Sequence, residues 1–324
     1  MLKIIQRIHV TFAVALAVAL LLPGCNRPHQ TVIGVIPKAT AHLFFVSIHA
    51  GVDQAAKDYH VEALWNGPSE ETDHARQIQI VDSMVSRHVD AIAISATDER
   101  ALAAPVERAI KAGIPVTIFD SGVNVDNYVT FVATDNFGAG CNAARRLATL
   151  VGGRGKVAMV AHKPGGTSTL LREQGFEETM AKEFPQVQIA AKQFGMADRA
   201  KSRNVAENIL TANPDLAGIF ASSEASSIGA IQAIKSRGQS GKVHLLTFDS
   251  SDSHLEALED GTIDLMFVQD PFAIGYQAVK SLAEVLKGKH PTKRIDLAAR
   301  IISKGDLSKP DVRALLFPDW LKKK

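Results

Sequence analysis

The sequence predicts an α/β protein of two similar doubly wound parallel-sheet lobes joined by a multi-strand hinge. Three observations carry that prediction. Short runs of β-branched and aromatic residues alternate with longer segments whose apolar residues recur every three or four positions, the pattern of parallel strands covered by helices. A strand signal ending in a carboxylate, residues 113–121 (GIPVTIFDS), is echoed at 243–250 (VHLLTFDS). The 324 residues, 46% hydrophobic and 22% charged, suffice for two cores. Because open parallel sheets bind ligands beyond the carboxyl ends of their strands, Asp120 and Asp249 are predicted to face a shared cleft.

Residues 1–24 stand apart from this pattern. Lys3 and Arg7 precede an apolar run from Val10 to Leu22 that is too short to span a bilayer comfortably and matches the hydrophobic region of a secretory leader. Leu22-Pro23-Gly24-Cys25 closes the run in a way that resembles a bacterial lipobox, which makes Cys25 the candidate for lipid attachment; a plain leader with an incidental cysteine is the alternative. Without the leader's Lys3 and Arg7, Lys+Arg and Asp+Glu balance at 34 each. That balance gives no electrostatic case for nucleic acid, and Lys322, Lys323 and Lys324 read as a solvated tail. Cys141 is the other cysteine, so there is no intramolecular disulfide framework; among Gly140, Ala143 and Ala144 it reads as a small buried residue.

The mature chain starts with a tether over 25–30 and a buried strand over 31–36 that stops at Pro37-Lys38. Phe45, Ile48, Val52, Ala55 and Tyr59 define an amphipathic helix. A strand over 61–65 ends at Asn66-Gly67-Pro68, a helix over 72–87 buries Ile78, Val81 and Val85, and a strand over 89–95 follows. Thr97-Asp98 caps a helix striped with Leu102, Val106 and Ile110, with Pro105 tolerated in its first turns. The strand over 116–119 and a loop around 124–127 lead to a strand over 129–133, closed by Thr134-Asp135-Asn136. The series then restarts with helix 138–150, strand 157–160, loop 163–169, helix 171–183, strand 187–193, helix 200–210, strand 217–220, helix 227–236 and strand 243–248. A last group, helix 253–259, strand 264–268, helix 272–286 and strand 297–302, is too long for the second lobe alone and is predicted to return to the first. The predicted lobes are 31–134 plus 270–297 and 135–269 plus 298–308, with 309–324 an irregular surface extension.

Catalytic motifs are missing from the sequence: there is no His-Glu-x-x-His, Cys-x-x-Cys, Gly-x-Ser-x-Gly or Gly-x-Gly-x-x-Gly. The run GGRGK at 152–156 has Val157 where a phosphate loop needs Ser or Thr, and it precedes a strand, so it reads as a helix-ending turn. The histidines lack metal-ligand spacing, and neither a metal nor a cofactor is expected. What remains is a set of strand-end residues: Lys38, His42, Phe44, Phe45, Ser95, Asp120 and Ser121 in the first lobe. The second lobe contributes Thr167 to Thr169, Arg172, Ser223, Glu224, Asp249 and Ser250, with Gln269-Asp270-Pro271 at a late crossing. A carboxylate accepts two hydroxyl hydrogen bonds at once, and aromatic rings offer an apolar face to ring C–H groups, so the set suits a polyol. Bland readings stand beside these. Asp120 equally fits a helix cap, Phe45 fits the buried helical stripe, His42 fits a solvent-facing loop and Arg172 fits a helix salt bridge.

Further features point one way: Phe44-Phe45 after the first strand, Ser95-Ala96-Thr97-Asp98 after the third, Gly113-Ile114-Pro115-Val116 leading to Asp120, and Ala133-Thr134-Asp135-Asn136 at the first crossing. With Arg172 and Gly175-Phe176, Phe248-Asp249, and Gln269 before Asp270-Pro271, the chain from Thr31 to about Asp306 resembles the periplasmic sugar-binding proteins of ABC transporters, in the ribose-binding branch. The resemblance implies a type I periplasmic binding protein fold, and Phe44, Phe45, Asp120, Asp249 and Gln269 hold the residue types that contact sugar in ribose-like members. His42 and Ser95 stand where those members carry Asn, Ser121 replaces an Arg, Leu170 stands near a second expected Arg, and Ser223 stands where Asn is expected. Losing two arginines and gaining Lys38 argues against ribose itself; Ile36-Pro37-Lys38 and Asn66-Gly67-Pro68 are similar to the branch that binds rhamnose or autoinducer-2.

The implied site is Lys38, His42, Phe44, Phe45, Ser95, Asp120, Ser121, Thr169, Arg172, Ser223, Asp249 and Gln269. The implied function is a monomeric, exported, lipid-anchored protein of the periplasm or cell envelope that is not an enzyme. It closes on a small sugar or polyol by bending near Thr134, Gln269 and the segment before Leu297, and delivers it to an ABC permease in the inner membrane. A ligand sensor feeding a chemoreceptor would read the same. A repressor would carry a helix-turn-helix where the leader stands, and a glycosidase would need Asp120 and Asp249 as acid and base.

Overall fold

The computed structural model describes residues 30–318. The leader, Cys25, the rest of the tether before Gln30, Trp320 and the terminal lysines lie outside the described residues. The first sheet contains β1 (Val32–Ile36), β2 (Glu62–Trp65), β3 (Ala91–Ile94), β4 (Val116–Phe119), β5 (Phe131–Thr134) and β11 (Arg294–Leu297), in the order β11-β5-β4-β3-β1-β2. All its pairings are parallel. The second contains β6 (Gly155–Ala161), β7 (Val187–Phe194), β8 (Leu216–Ala221), β9 (His244–Phe248), β10 (Leu265–Val268) and β12 (Arg300–Ile302), in the order β12-β10-β9-β8-β6-β7. Only β12 runs antiparallel. The two sheets therefore repeat one strand order, and the molecule has the two α/β lobes that the repeated Phe-Asp-Ser led us to expect.

Helices cover both sheets because their apolar stripes fit nowhere else. In the first lobe α1 (Leu43–Tyr59), α2 (His74–Ser86) and α3 (Ala103–Lys111) flank the sheet; in the second, α4 (Asn136–Leu150), α5 (Thr167–Glu183), α6 (Arg199–Ala212), α7 (Glu224–Ser236) and α8 (Asp252–Glu259) do so. α9 (Pro271–Val285) leaves the second sheet after β10 and packs Ile274, Ala278, Val279 and Leu282 with Ile33, Val35 and Ile48 of the first lobe. α4 does the reverse after β5, placing Ala143, Ala144 and Leu147 on the second sheet. Each of these crossing helices starts at an aspartate cap: Asp135 accepts from Gly138 N–H at 3.0 Å and Asp270 from Ala273 N–H at 2.9 Å.

Several boundaries depart from expectation. The strand anticipated over 297–302 is two strands, β11 in the first sheet and β12 in the second, because the chain steps between lobes at Ala298 and Ala299. Residues 310–316, expected to be irregular, form α10 (Pro310–Leu316), whose Val312 and Leu316 join the second lobe's core; Pro310 occupies a helix start, where its missing N–H costs no bond. α5 and α7 begin earlier than the apolar period indicates, since their first turns are made mostly of polar residues that carry no stripe. Cys141 is partly exposed instead of buried.

Candidate functional site

Asp120 and Asp249 end β4 and β9 in the left-handed conformation, at φ 56° and 71°. Side chains rarely adopt this backbone, and aspartate tolerates it better than most. Each Asp donates its backbone N–H to the neighbouring strand at 2.8 Å, Asp120 to Val132 and Asp249 to Phe267, which holds the strained turn in place. The two carboxylates line one cavity from opposite lobes.

On the first lobe's wall, Lys38 leaves β1 through Pro37 and is almost fully buried. Its Nζ lies 3.1 Å from Asp120 Oδ2 and 3.4 Å from Glu71 Oε2. Burial by itself would lower the Lys38 pKa; Asp120 and then Glu71 outweigh it and hold the ammonium above its ordinary range. Ser95 Oγ donates to Asp120 Oδ2 at 2.9 Å from behind, and the Lys38 ammonium sits 5.8 Å from the Phe45 ring centroid. The second lobe's wall is built on the N-terminal turns of α5 and α7. Arg172 is held by Asn136 Oδ1 at 2.7 Å and the Ser222 carbonyl at 2.9 Å, with its guanidinium 3.7 Å above the Phe248 ring. Asp249 receives Gln269 Nε2 at 2.7 Å and the Glu224 N–H at 3.1 Å. Burial pushes the Asp249 carboxyl above its usual range, opposed by Arg172 and Gln269.

The lobes also touch each other directly. On the hinge side Thr134 Oγ1 donates to Gln269 Oε1 at 2.6 Å. Away from the hinge, Lys163 Nζ donates to the Thr97 carbonyl at 2.6 Å, Lys38 Nζ to Ser168 Oγ at 3.3 Å, and Glu99 N–H to the Gly165 carbonyl at 3.1 Å. His162 Nε2 meets Glu71 Oε2 at 3.0 Å while its Nδ1 meets Ser223 Oγ at 2.8 Å. A carboxylate only accepts, so the Nε2 that faces Glu71 carries a proton, while the Ser223 hydroxyl also donates to Ser226 Oγ at 3.0 Å. This serine–histidine–glutamate chain is a strut between lobes: Ser223 Oγ is already the cap of α7, accepting Ser226 N–H at 3.3 Å. Burial raises the Glu71 carboxyl, but Lys38 and then His162 overcome that and hold it well below the usual range. Burial, then repulsion by Lys38, lowers Lys163 to about 8.

With the lobes in this arrangement the cavity measures about 30 Å³. That is room for one or two waters, so a sugar-sized molecule enters only when the lobes part. A larger hollow of about 620 Å³ lies on the hinge face, lined by such apolar residues as Leu43, Phe272, Leu297 and Leu315. It shares Phe44, Asp249 and Gln269 with the cleft but gathers none of its cations. The cleft is the chemically equipped site.

Of the residues singled out from sequence, Lys38, His42, Phe44, Phe45, Asp120, Thr169, Arg172, Ser223, Asp249 and Gln269 line the cleft cavity together. Ser95 and Ser121 stand behind it: Ser95 backs Asp120, and Ser121 Oγ lies 3.3 Å from Thr167 Oγ1 and 3.4 Å from Ser168 Oγ at the lobe contact. Ser168 and Glu224, from the wider strand-end set, line it as well, and Glu71, His162 and Ala225 line it without having been singled out. His162 follows β6 directly, the same strand-end criterion that marked Asp120, whereas Glu71 sits in the loop after β2 with no local signal.

Comparisons with known proteins agree with this geometry. Residues 33–290 match the family described as periplasmic binding protein domain. The ribose import binding protein RbsB of Bacillus subtilis is 29% identical over 269 residues, covering 83% of this chain and 86% of that protein. The D-allose-binding periplasmic protein of Escherichia coli is 28% identical, over 78% and 84% of the two chains. Among solved structures, a carbohydrate transporter solute-binding protein of Agrobacterium radiobacter in complex with D-arabinose superposes with a TM-score of 0.86 at 32% identity, covering 89% of this chain and 99% of that one. A solute-binding protein of Agrobacterium vitis bound with α-D-tagatopyranose gives 0.85 at 31% identity, with the same coverages. With its paired strand orders, its three crossings and its cleft between the strand ends, the chain belongs to the periplasmic binding protein domain family, of type I fold, whose matched relatives are transport binding proteins and not enzymes.

Proposed function

We propose that this protein is the substrate-binding lipoprotein of an ABC importer, capturing a small neutral sugar or polyol between its lobes and handing it to an inner-membrane permease. One observation carries the reading: Asp120 and Asp249, one per lobe, occupy the same left-handed strand-end position on opposite walls of a single cavity. Two carboxylates placed so accept hydroxyl hydrogen bonds from both sides of a ring, and a ligand that bonds both lobes has higher affinity for the closed form than the open one. That difference is what shifts the population. Ribose, allose, D-arabinose and tagatopyranose, named for the relatives, are the sugar class that this donor and acceptor set accommodates. The acyl group at Cys25 and the remaining lipoprotein modification hold the exported monomer at the membrane.

Thermal-shift screening against pentoses, hexoses, deoxyhexoses, polyols and autoinducer-2, followed by calorimetry on the strongest hit, tests the reading, since a ligand that binds the folded state raises Tm by mass action. A screen in which no sugar or polyol moves Tm would refute it. Metabolic labelling with a radioactive fatty acid tests the anchor: label is expected on the wild type and not on Cys25→Ser.

A further inference from the structure

Glu224 is the first residue of α7, 3% exposed, and it lines the cleft beside Asp249. Its two carboxylate oxygens are treated differently by the fold. Oε1 accepts from Arg199 Nη2 at 2.6 Å, whereas Oε2 is buried with no hydrogen-bond partner among the described residues. Elsewhere on this wall the acceptors are engaged: Asp249 Oδ1 takes Gln269 Nε2 and Oδ2 takes the backbone N–H of Glu224 itself. A buried carboxylate oxygen without a donor costs more than an ordinary hydrogen bond returns, so natural structures seldom retain one without a use. Burial, then repulsion by Asp249, pushes the Glu224 carboxyl above its ordinary range, with His42 and Arg199 opposing.

Resting on the sugar-binding reading, we propose that Glu224 Oε2 accepts a hydroxyl of the ligand and selects for that hydroxyl. With the carboxylates Asp249 and Glu224 adjacent on one wall, the ligand presents neighbouring donors there, and its class narrows to neutral polyhydroxy compounds; a uronic acid or a sugar phosphate is repelled. A site that buries a polar group against one ligand hydroxyl rejects the analogue lacking it far more strongly than an apolar pocket rejects a shape change.

The test uses the full chain and the sugar ranked first by thermal shift, with each of its monodeoxy derivatives and its uronic acid, titrated by calorimetry into wild type, Glu224→Gln, Glu224→Ala and Arg199→Ala. The wild type is expected to bind the parent sugar, to lose affinity for one deoxy derivative by about 100-fold or more, and to ignore the uronic acid. Glu224→Gln and Glu224→Ala are expected to weaken the parent sugar at least about tenfold and to shrink that one discrimination, while the Tm of unliganded Glu224→Gln, which keeps an acceptor for Arg199, stays level or rises, because a buried carboxylate oxygen without a donor is gone. Arg199→Ala removes the partner of Oε1 alone and is expected to keep the discrimination. Deoxy ratios unchanged in both Glu224 variants, or a uronic acid bound as well as the parent sugar, overturn the inference and leave the sugar-binding reading intact. A wild type that binds no sugar overturns both.

Discussion

Glu71 Oε2 lies 3.0 Å from His162 Nε2 of the opposite lobe and 3.4 Å from Lys38 Nζ of its own, so one buried carboxylate ties the two walls of the cleft. Because the tie is made by the protein alone, it favours the closed arrangement before any ligand contributes. Glu71→Ala is expected to raise the radius of gyration of the unliganded protein in small-angle X-ray scattering, as the population with parted lobes grows. A scattering profile that matches the wild type would show that Glu71 is not a latch.

Asp120→Ala strips Lys38 of its nearer carboxylate and Ser95 of its acceptor in a buried setting. Breaking a buried pair from one side costs about 3–5 kcal/mol; here Glu71 remains beside the ammonium and softens the effect. Affinity for the best sugar is expected to drop at least about 100-fold, read by calorimetry, and a value within threefold of wild type would contradict the assignment.

Two helix crossings are sealed by glycine. A Cβ on Gly51 or Gly275 would sit about 2.0–2.1 Å from the carbonyl oxygen of Phe272 or Ile48, and one on Gly140 2.0 Å from that of Arg172. Each Gly→Ala change is expected to cost about 1–3 kcal/mol in chemical denaturation. Gly140→Ala is also expected to weaken ligand binding, since the backbone it displaces carries Arg172, whereas Gly51→Ala leaves that residue alone. Gly305, whose nearest atom is 3.8 Å away, provides the neutral comparison.

His254 is buried in the second lobe, and burial lowers its pKa to about 4. Between pH 4 and 6.5 the unfolded chain holds a proton that the folded protein refuses, so this residue's contribution to stability is complete above pH 6.5 and declines as pH falls towards 4. The difference amounts to about 3 kcal/mol. Urea midpoints are expected to fall more steeply with acidification for wild type than for His254→Phe, and parallel curves would remove His254 as the cause.

The alternation of strands and helices was legible because period is a local property: parallel strands buried on both faces read as apolar runs and helices as stripes. Asp120 and Asp249 were legible for the same reason, as polar residues where a strand signal stops. The split of 297–302 into β11 and β12 was not, because Leu297 to Ile302 looks like one strand and only the partners β5 and β10 tell its halves apart. The first turns of α5 and α7 were missed because Thr167, Ser168, Glu224 and Ser226 carry no apolar period, and they are the turns that face the cleft.

The sequence by itself determined the two-lobe architecture and the strand-end carboxylates, since each is written in the order of neighbouring residues. Tertiary structure alone decided which groups meet across the cleft. Glu71 and His162 are 91 positions apart and Thr134 and Gln269 135, and no periodicity relates such pairs. Their contact exists because two sheets of the same strand order bring the ends of their strands to one cleft, where buried charge must find a partner.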